Sequence, residues 1–236
     1  AVILGAITHF NGSGDKVIEA ANATFFKGER IVVQGEAESG KAALARAILG
    51  LWPWGGGYLT TPADRGAVMA HATPYLPEGT LEDALQCPAS SGTFLREDIE
   101  SALASCGVPH LVDRLDHHSR WMHTLSANER QRCALARLIL HQPGVIVLED
   151  ALSACDANAQ SQLMRMLFDC CPSSLIIDLS NRIAPAALYD RCFILTRNGD
   201  GPSMLSEVMH SKGSSRMRSG RKAASFPGFL ANRSNA

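Results

Sequence analysis

The stretch "GEAESGKA", residues 35–42, decides how the rest of the chain is interpreted. It has the spacing of the phosphate-binding loop pattern G-x-x-x-x-G-K-[ST], in which backbone amides and a lysine surround an anion. Gly35, Gly40 and Lys41 fit the pattern, and Ala42 stands where the pattern has the hydroxyl that holds Mg²⁺. The stretch therefore predicts a phosphate site that lacks one of its metal ligands.

The segments on either side fit a phosphate-binding loop. "ERIVVQG" (29–35) is a short apolar run that ends in glycine and predicts a buried strand. "AALARAILGLW" (42–52) has helical spacing and strong helix formers. Loops of this kind bind anions because their amides and the start of the following helix point at the ligand. Chance alone gives roughly 0.07 matches to G-x-x-x-x-G-K in such a chain, so we interpret residues 35–42 as a phosphate site rather than a turn.

Apolar runs that alternate with helical patterns predict an α/β fold with a mostly parallel core sheet. We expect a small antiparallel β element in the first 27 residues, around "NGSGD", and a mostly helical stretch from about 75 to 125. The other predicted strands are "RGAVMAHA" (65–72), "GVIVLED" (144–150), "SLIIDLS" (174–180) and "RCFILTR" (191–197), and the other predicted helices are "SANERQRCALARLILHQ" (126–142) and "ANAQSQLMRMLFDC" (157–170).

Composition excludes several kinds of function. The formal net charge of the 236 residues is −1, so no nucleic-acid partner is expected, and no apolar run reaches the ~18 residues of a membrane helix. The cysteines form no C-x-x-C pair, which predicts reduced core thiols. We expect no metal site, since His117, His118 and His123 lack a ligand spacing. Residues 211–236 carry lysines and arginines but no acid, which predicts a disordered arm or a docking segment.

Five further segments resemble, in order and spacing, parts of the nucleotide-binding domain of ABC transporters, and the resemblance covers about residues 1–200. The first, "GLWPWGGG" (50–57), is similar to the segment that follows the P-loop helix in the peroxisomal fatty-acyl exporters and their bacterial peptide-importing relatives. Of the others, the segment after the Q-loop is resembled by "PYLPEGTLEDAL" (74–85), and the signature by "LSANERQRCALARLILHQP" (125–143). The Walker B and D-loop run is resembled by "VIVLEDALSACD" (145–156), and the switch by "IIDLSNR" (176–182).

This resemblance implies a P-loop NTPase fold of the ABC type and a division of the chain. Residues 1–72 and 144–205 would form the ATP-binding core with its β element, residues 73–143 the helical subdomain with the signature-like segment, and residues 206–236 the basic tail. It also implies ATP as the ligand, a dimer with a second ABC domain, and a transmembrane partner that contacts segment 74–85. Such a domain is membrane-associated, on the cytosolic or organelle-matrix side.

Several departures from the family pattern predict that ATP hydrolysis is weak or lost. Glu149 and Asp150 stand where the family has the Walker B Asp and the catalytic Glu, so the two acids are in reversed order. Asn181 replaces the switch histidine, and together these three residues are the carried-over catalytic positions. Ala72 replaces the Q-loop glutamine, and Ala42 makes Mg²⁺ a doubtful cofactor. Misplacing a catalytic group by about 1 Å can lower the rate about 100-fold.

The signature serine has two interpretations. The family uses a serine and two glycines to reach a phosphate held by a partner domain, whereas Ala127 and Asn128 follow Ser126 here. Ser126 and Glu129 also form the S-x-x-E capping box of a helix start, which accounts for both residues without a ligand. The expected nucleotide-binding residues are Gly35, Ser39, Gly40, Lys41, Ala42, Ala43 and Ser126.

Segment 74–85 is the predicted contact with the membrane partner. Tyr75, Leu76 and Leu81 lie with two prolines in what we expect to be an exposed loop, where apolar side chains act as interface anchors. The alternative is that these residues fold back onto the helical subdomain. Two functions stay open at this point: an ABC ATP-binding domain of a transporter with impaired hydrolysis, and a non-enzymatic ABC-fold subunit of a larger assembly.

Overall fold

The computed structural model describes residues 1–51, 54–61, 66–179, 186–197, 199 and 201–208. The chain divides into two compact units. The sheet unit contains Ala1–Ala72, Pro143–Ala151 and the described part of Ser173–Gly213. The helical unit contains Thr73–Gln142 and Leu152–Pro172. Of the predicted basic tail, residues 206–236, the first three residues are the end of a strand, Ser203–Val208, and the rest lies outside the described residues, as does the switch residue Asn181.

The strands and α-helices of the described residues are numbered in chain order. The strands are β1 (Val2–Phe10), β2 (Lys16–Phe25), β3 (Arg30–Gln34), β4 (Gly55–Thr60), β5 (Ala67–His71), β6 (Gly79–Thr80), β7 (His118–Ser119), β8 (Val145–Glu149), β9 (Leu175–Asp178), β10 (Arg191–Arg197) and β11 (Ser203–Val208). The α-helices are α1 (Lys41–Ile48), α2 (Leu81–Gln86), α3 (Arg96–Ser105), α4 (Trp121–Thr124), α5 (Ala127–His141) and α6 (Ala157–Cys170), and short 3-10 turns cover Pro109–Arg114 and Ala186–Leu188.

A single large sheet organises the sheet unit. Its described strands lie in the order β4-β1-β2-β11-β10-β3-β9-β8-β5. The run β10-β3-β9-β8-β5 is parallel throughout, and β11 also pairs with β2 in parallel. Antiparallel pairing joins β1 to β2 and β4, and β10 to β11. The expected fold class is therefore confirmed, with a mostly parallel core and an antiparallel N-terminal element.

Burial explains why the central strands carry such continuous apolar runs. In β8 the four residues from Val145 to Leu148 are buried, as is the whole of β9, because strands inside a parallel sheet are covered on both faces. Helix α1 buries Ala43, Leu44 and Ile48 in the same core. Each large aliphatic side chain buried in this way contributes about 1.5–3 kcal/mol of hydrophobic stabilisation.

The helical unit has a core of its own around α5. Trp121 is fully buried, and its indole Nε1 donates a hydrogen bond to the carbonyl of Gly79 at 3.0 Å. The strands β6 and β7 pair as a two-stranded antiparallel ribbon that the sequence did not predict. None of the helices in the described parts of the chain combines the length and hydropathy that crossing a bilayer requires.

The predicted exposure of segment 74–85 is wrong for two of its three anchors. Leu76 and Leu81 are fully buried in the core of the helical unit, and only Tyr75 is exposed, at 68%. The backbone is held in this arrangement by Arg137, whose Nη1 donates to the carbonyl of Tyr75 at 2.8 Å, and by the sulfur of Met122, which accepts from the Leu76 amide at 3.4 Å. Pro74 and Leu76 are thus buried on either side of the exposed Tyr75.

Candidate functional site

The loop between β3 and α1 is closed around the side chain of Lys41. The ammonium Nζ donates to the carbonyls of Gly35 at 2.6 Å and Glu36 at 2.7 Å, and to Ser39 Oγ at 3.2 Å. An ammonium has three protons, so the loop provides an acceptor for each of them. Lys41 and Ser39 are both buried. The loop is thus shaped around a cation, with its backbone amides left to meet an anion.

Two glycines of the loop are needed for steric reasons. A Cβ added to Gly35 would lie 2.5 Å from Ser39 Oγ and 2.8 Å from the Leu195 carbonyl oxygen. Gly40 has φ +89°, a conformation that residues with a side chain rarely adopt, and a Cβ there would lie 3.0 Å from Val17. The glycines of the pattern therefore allow the loop to approach β2 and β10 closely.

A cleft of about 370 Å³ opens beside this loop, entirely within the sheet unit. Its volume lies in the lower part of the range of small-molecule sites. The loop and the first turns of α1 form one side, and the ends of β1, β8 and β9 contribute the rest. The lining residues from the loop and helix are Ala37, Glu38, Ser39, Gly40, Lys41, Ala42, Ala43 and Arg46, and the others are His9, Asn11, Gly12, Val17, Glu149, Asp150 and Leu179.

Two neighbouring carboxylates reach the cleft from the end of β8. Glu149 is largely buried, and its Oε2 lies 3.6 Å from Nε2 of His71, the residue opposite it on β5. Asp150 follows in the left-handed region with φ 49°, which Asp tolerates better than most residues. Burial lowers the pKa of Lys41, and the nearby charge of Asp150 partly offsets this effect. Each of the two acids therefore has a basic side chain of the protein as a neighbour, His71 for Glu149 and Lys41 for Asp150.

The side chains of the cleft lack one of the ligands that Mg²⁺ usually has beside a loop of this kind. Position 42 presents the methyl group of an alanine to the cleft, where a hydroxyl oxygen would serve as a metal ligand. Within the described ranges, no group of three or more His, Cys, Asp or Glu side chains is arranged to hold a metal ion. Mg²⁺ prefers six oxygens in a near-ideal octahedron, and the described chain offers the carboxylates of Glu149 and Asp150.

The opposite part of the cleft comes from the β1–β2 turn. Asn11 accepts hydrogen bonds from the Ser13 and Asp15 amides with its side-chain oxygen, which fixes the turn beside the cleft. His9 is buried, and this burial, followed by the positive charge of Arg46, lowers its pKa, so the imidazole is neutral at pH 7. Neither His9 nor Arg46 was predicted as a site residue, because only the fold brings β1 next to α1.

The capping box predicted around Ser126 is confirmed in the helical unit. The Ser126 hydroxyl accepts from the Glu129 amide and donates to Glu129 Oε2 at 2.7 Å, and the same oxygen accepts from the Ser126 amide at 2.9 Å. His110 Nε2 lies 2.9 Å from the other carboxylate oxygen. The hydroxyl proton of Ser126 is therefore directed at a carboxylate within its own helix start.

A prediction about pH follows from this cluster. Hydrogen bonding by His110, followed by that of Ser126, lowers the pKa of Glu129 from 4.5 to about 2. Because the folded pKa is the lower one, ionised Glu129 stabilises the fold above pH 4.5, and this contribution is lost as the pH falls toward 2. Urea unfolding of the parent and Glu129→Gln should differ most near pH 6 and progressively less toward pH 3.

The matched control for this prediction is Asp113→Asn, which removes an exposed carboxylate of the same unit. We expect this variant to follow the parent at every pH. A stability difference between Glu129→Gln and the parent that stayed constant from pH 6 to pH 3 would contradict the assigned role of Glu129.

Asn128, at the second glycine position of the signature, is hydrogen-bonded to the loop that follows β8. Asn128 Nδ2 donates to the Ala154 carbonyl at 3.1 Å, and its Oδ1 accepts from Arg132 Nε at 2.6 Å. Gln131 binds the same loop through the Ala154 amide at 2.9 Å. Asp156 caps α6 by accepting from two amides, which accounts for this residue without a dimer contact. The Asn128 side chain thus fills a position where the family has only backbone.

Most of the predicted loop and acid residues meet in the cleft, and the others lie elsewhere. Gly35 holds Lys41 through its carbonyl, Ser126 belongs to the helical unit, and Asn181 lies outside the described residues. The residues brought together in the cleft are Ser39, Gly40, Lys41, Ala42, Ala43, Glu149 and Asp150.

Comparison with known proteins agrees with this arrangement. The family model described as ABC transporter matches residues 18–153, which contain the loop, the cleft acids and the capping box. The chain belongs to the ABC transporter family. The ABC fold is also found in a solved structure described as a bacterial Atm1-family ABC exporter with ATP bound, with a TM-score of 0.70 over 82% of this chain and 36% of that one, at 15% identity.

Curated ABC relatives come from bacteria, from Dictyostelium discoideum, from Arabidopsis thaliana and from animals. An uncharacterized ABC transporter ATP-binding protein of Haemophilus influenzae is 30% identical over 84% of this chain and 33% of its own length. The inner membrane ABC transporter ATP-binding protein YddA of Escherichia coli is 30% identical over 70% of this chain and 29% of its own length. Human ATP-binding cassette sub-family D member 3 is 30% identical over 64% of this chain and 24% of its own length. The chain thus spans a third or less of these relatives.

Proposed function

We propose that this chain is the ATP-binding domain of a membrane transporter and that its ATP hydrolysis is weak or lost. The observation that carries the proposal is the cleft itself, in which a phosphate-binding loop keeps Gly40 and Lys41, has Ala42 in place of its hydroxyl residue, and lies with the reversed acids Glu149 and Asp150. Membership of the ABC transporter family supports the first part. The substituted side chains of the cleft support the second.

Nucleotide binding rests on groups that the substitutions leave in place. The amides of the loop, the N-terminus of α1 and the Lys41 ammonium form an anion site that needs no metal. We assign the phosphates to Gly40, Lys41, Ala42 and Ala43, which form the turn where the loop enters the helix, and to Ser39 before them. ATP is the proposed ligand, and Mg²⁺ is not proposed as a cofactor.

Hydrolysis requires more than binding, and each further requirement is weakened. A general base must lie within hydrogen-bond reach of the attacking water, and Asp150 is one methylene shorter than the glutamate of the family. Glu149 is longer than the Walker B aspartate and lies beside His71. Asn181 offers no cation at the switch position. Because catalysis of phosphoryl transfer consists mainly of positioning and electrostatic stabilisation, these changes act on the chemical step.

The signature segment that this chain would offer to a nucleotide held by a partner ABC domain is also weakened. Ala127 and Asn128 carry side chains where the family has glycines, and Asn128 is bound to Ala154 and Arg132. The Ser126 hydroxyl is engaged with Glu129. A dimer with a second ABC domain remains part of the proposal, but the second domain would supply the better signature.

The proposed transmembrane partner binds through the part of segment 74–85 that is exposed. Tyr75 presents its ring to solvent while its carbonyl is held by Arg137. An exposed aromatic side chain on a backbone that is held in place is a favourable interface anchor, since the backbone loses little conformational entropy when it binds. The proposed location is therefore at a membrane, on the cytosolic or organelle-matrix side.

The experiment for the enzymatic part is steady-state phosphate release with and without Mg²⁺. We expect turnover far below ~1 s⁻¹, the low end of ordinary enzymes. A variant that restores the family residues, with Ala42→Ser, Ala72→Gln, Glu149→Asp, Asp150→Glu and Asn181→His combined, should release phosphate faster than the parent. Lys41→Met in the restored variant is the control and should abolish the gain. Ordinary turnover by the parent would overturn the proposed loss of hydrolysis.

A further inference from the structure

A histidine and a glutamate meet at the ends of two neighbouring strands of the sheet unit. His71 ends β5 and Glu149 ends β8, and the two residues are the last register partners of the parallel ladder between these strands. Their Nε2 and Oε2 atoms lie 3.6 Å apart. Because side chains alternate between the faces of a sheet, register partners project from the same face. The sheet itself thus holds an imidazole and a carboxylate side by side, at the strand ends where α/β sheets bind ligands.

The separation of the two atoms fits two ligands of one metal ion. A direct N–H···O hydrogen bond is shorter, at about 2.7–3.2 Å. Imidazole nitrogens and carboxylate oxygens bind Zn²⁺ at about 2.1 Å, so two of them on a tetrahedral ion lie about 3.4 Å apart. Adjacent ligands of an octahedral Mg²⁺ ion lie closer together, at about 3.0 Å. The distance between His71 and Glu149 is therefore nearer to the tetrahedral arrangement.

The chemistry of the two ligands also favours a transition metal. Mg²⁺ takes oxygen ligands, whereas an imidazole nitrogen suits Zn²⁺ and other ions of the first transition row. Ala42 withholds the hydroxyl oxygen that Mg²⁺ would use beside the loop. The His71 side chain is 50% exposed, so its ring is accessible to an incoming ion, and Glu149 supplies the negative charge.

A nucleotide in the cleft can complete the coordination of such an ion. Glu149 lines the same cleft as Gly40 and Lys41, to which the phosphates are assigned. Asp150 also lines it and offers a second carboxylate. Metal ions at phosphate sites are commonly held by one or two carboxylates together with phosphate oxygens and water. His71 and Glu149 are fewer ligands than a site that holds an ion alone, so the ion should bind together with the nucleotide.

We propose that His71 and Glu149 bind a divalent transition-metal ion of the Zn²⁺ class and that this ion, in place of Mg²⁺, joins the nucleotide phosphates to the protein. The inference rests on the proposed function, because the nucleotide completes the site. It adds to that function a metal preference, which His71 determines. Because coupled binding is reciprocal, the ion should raise the affinity for the nucleotide by the factor that the nucleotide raises the affinity for the ion.

The test is calorimetric titration of the full chain with ADP in three solutions, which contain EDTA, Mg²⁺ or Zn²⁺. We expect ADP to bind at least about tenfold more tightly in Zn²⁺ than in Mg²⁺. Even groups that only support a metal ligand change metal affinity by about 10–100-fold, and His71 is a direct ligand in this proposal. Co²⁺ serves as a spectroscopic probe, since its visible absorption depends on its ligands, and the chain with ADP should change that absorption.

His71→Ala is the decisive variant, since it removes the nitrogen ligand from an exposed position. Its affinity for ADP in Zn²⁺ should fall to that in Mg²⁺, and the change in Co²⁺ absorption should be lost. A histidine with a merely structural role would instead lower the affinity alike in all three solutions. His117→Ala is the matched control, because it removes an exposed histidine of the helical unit, and it should keep the preference for Zn²⁺. Thermal melting in EDTA shows that each variant is folded.

The outcomes separate the inference from the proposed function. An ADP affinity that is no higher in Zn²⁺ than in Mg²⁺ would overturn the inference alone, and this is the result expected if His71 and Glu149 form only an ion pair. A preference for Zn²⁺ that persists in His71→Ala, or that His117→Ala also removes, would overturn it too, since the ion would then bind elsewhere. Binding of ADP in none of the solutions would overturn the proposed function and the inference with it.

Discussion

Lys41→Met should lower the affinity for ADP and ATP by at least about 100-fold. The Lys41 ammonium is the cation at the centre of the loop, and methionine keeps its length without its charge. Methionine removes both the positive charge that attracts the phosphates and the hydrogen bonds that order the loop, and hydrogen bonds to charged groups contribute about 1.5–3 kcal/mol each. Calorimetric titration of the parent and the variant with either nucleotide measures the effect.

Lys27→Met serves as the control, because it removes an exposed lysine of the same unit. It should bind both nucleotides as the parent does. Since Lys41 also holds the loop through Gly35, Glu36 and Ser39, the melting temperature of Lys41→Met must be measured beside its affinity. Unchanged binding in a folded Lys41→Met would mean that "GEAESGKA" is a turn and not a phosphate site.

Local sequence patterns predicted the central elements well. The run "RCFILTR" is β10 with the expected bounds, and "ANAQSQLMRMLFDC" is α6 with the expected bounds. These segments succeed because continuous apolar runs and a strong helical period depend little on the rest of the fold. The edge strand β4 was missed, since "GGGYLT" has neither alternation nor an apolar run and is stabilised by pairing with β1.

The site was predictable only where a motif occupies one stretch of chain. Residues 35–42 and the pair Glu149 and Asp150 could be identified from spacing and resemblance. His9 and Arg46 could not, because their place in the cleft depends on how β1 packs against α1. The domain boundaries at residues 72, 143 and 205 likewise stay a prediction from the resemblance.

Leu76→Asp should destabilise the helical unit by about 4 kcal/mol or more. Leu76 is fully buried, and an aspartate there would be an unpaired charge in an apolar core. At roughly 2–4 °C per kcal/mol for a domain of this size, the melting temperature should fall by about 10 °C. Differential scanning calorimetry measures this change.

Tyr75→Asp is the matched variant, one residue away and on an exposed side chain. Its effect on stability should lie within about 0.5 kcal/mol, as for most surface substitutions. If Tyr75 is the anchor for the transmembrane partner, this variant should also lose co-purification with that partner while it keeps its melting temperature. Equal destabilisation by the two variants would contradict the burial of Leu76 next to an exposed Tyr75.

The closed loop around Lys41 has a consequence for the timing of entropy loss. A lysine side chain loses up to about 2 kcal/mol of conformational freedom when it is fixed in one rotamer. Gly35, Glu36 and Ser39 fix this side chain during folding, through three hydrogen bonds that exist without any ligand. A phosphate that arrives later meets a side chain that is already ordered, but it must replace at least one of these acceptors as a partner of the ammonium. The entropy of ordering Lys41 is thus lost once, on folding, and the gain on binding is the difference between the hydrogen bonds to the phosphate and those given up by the loop.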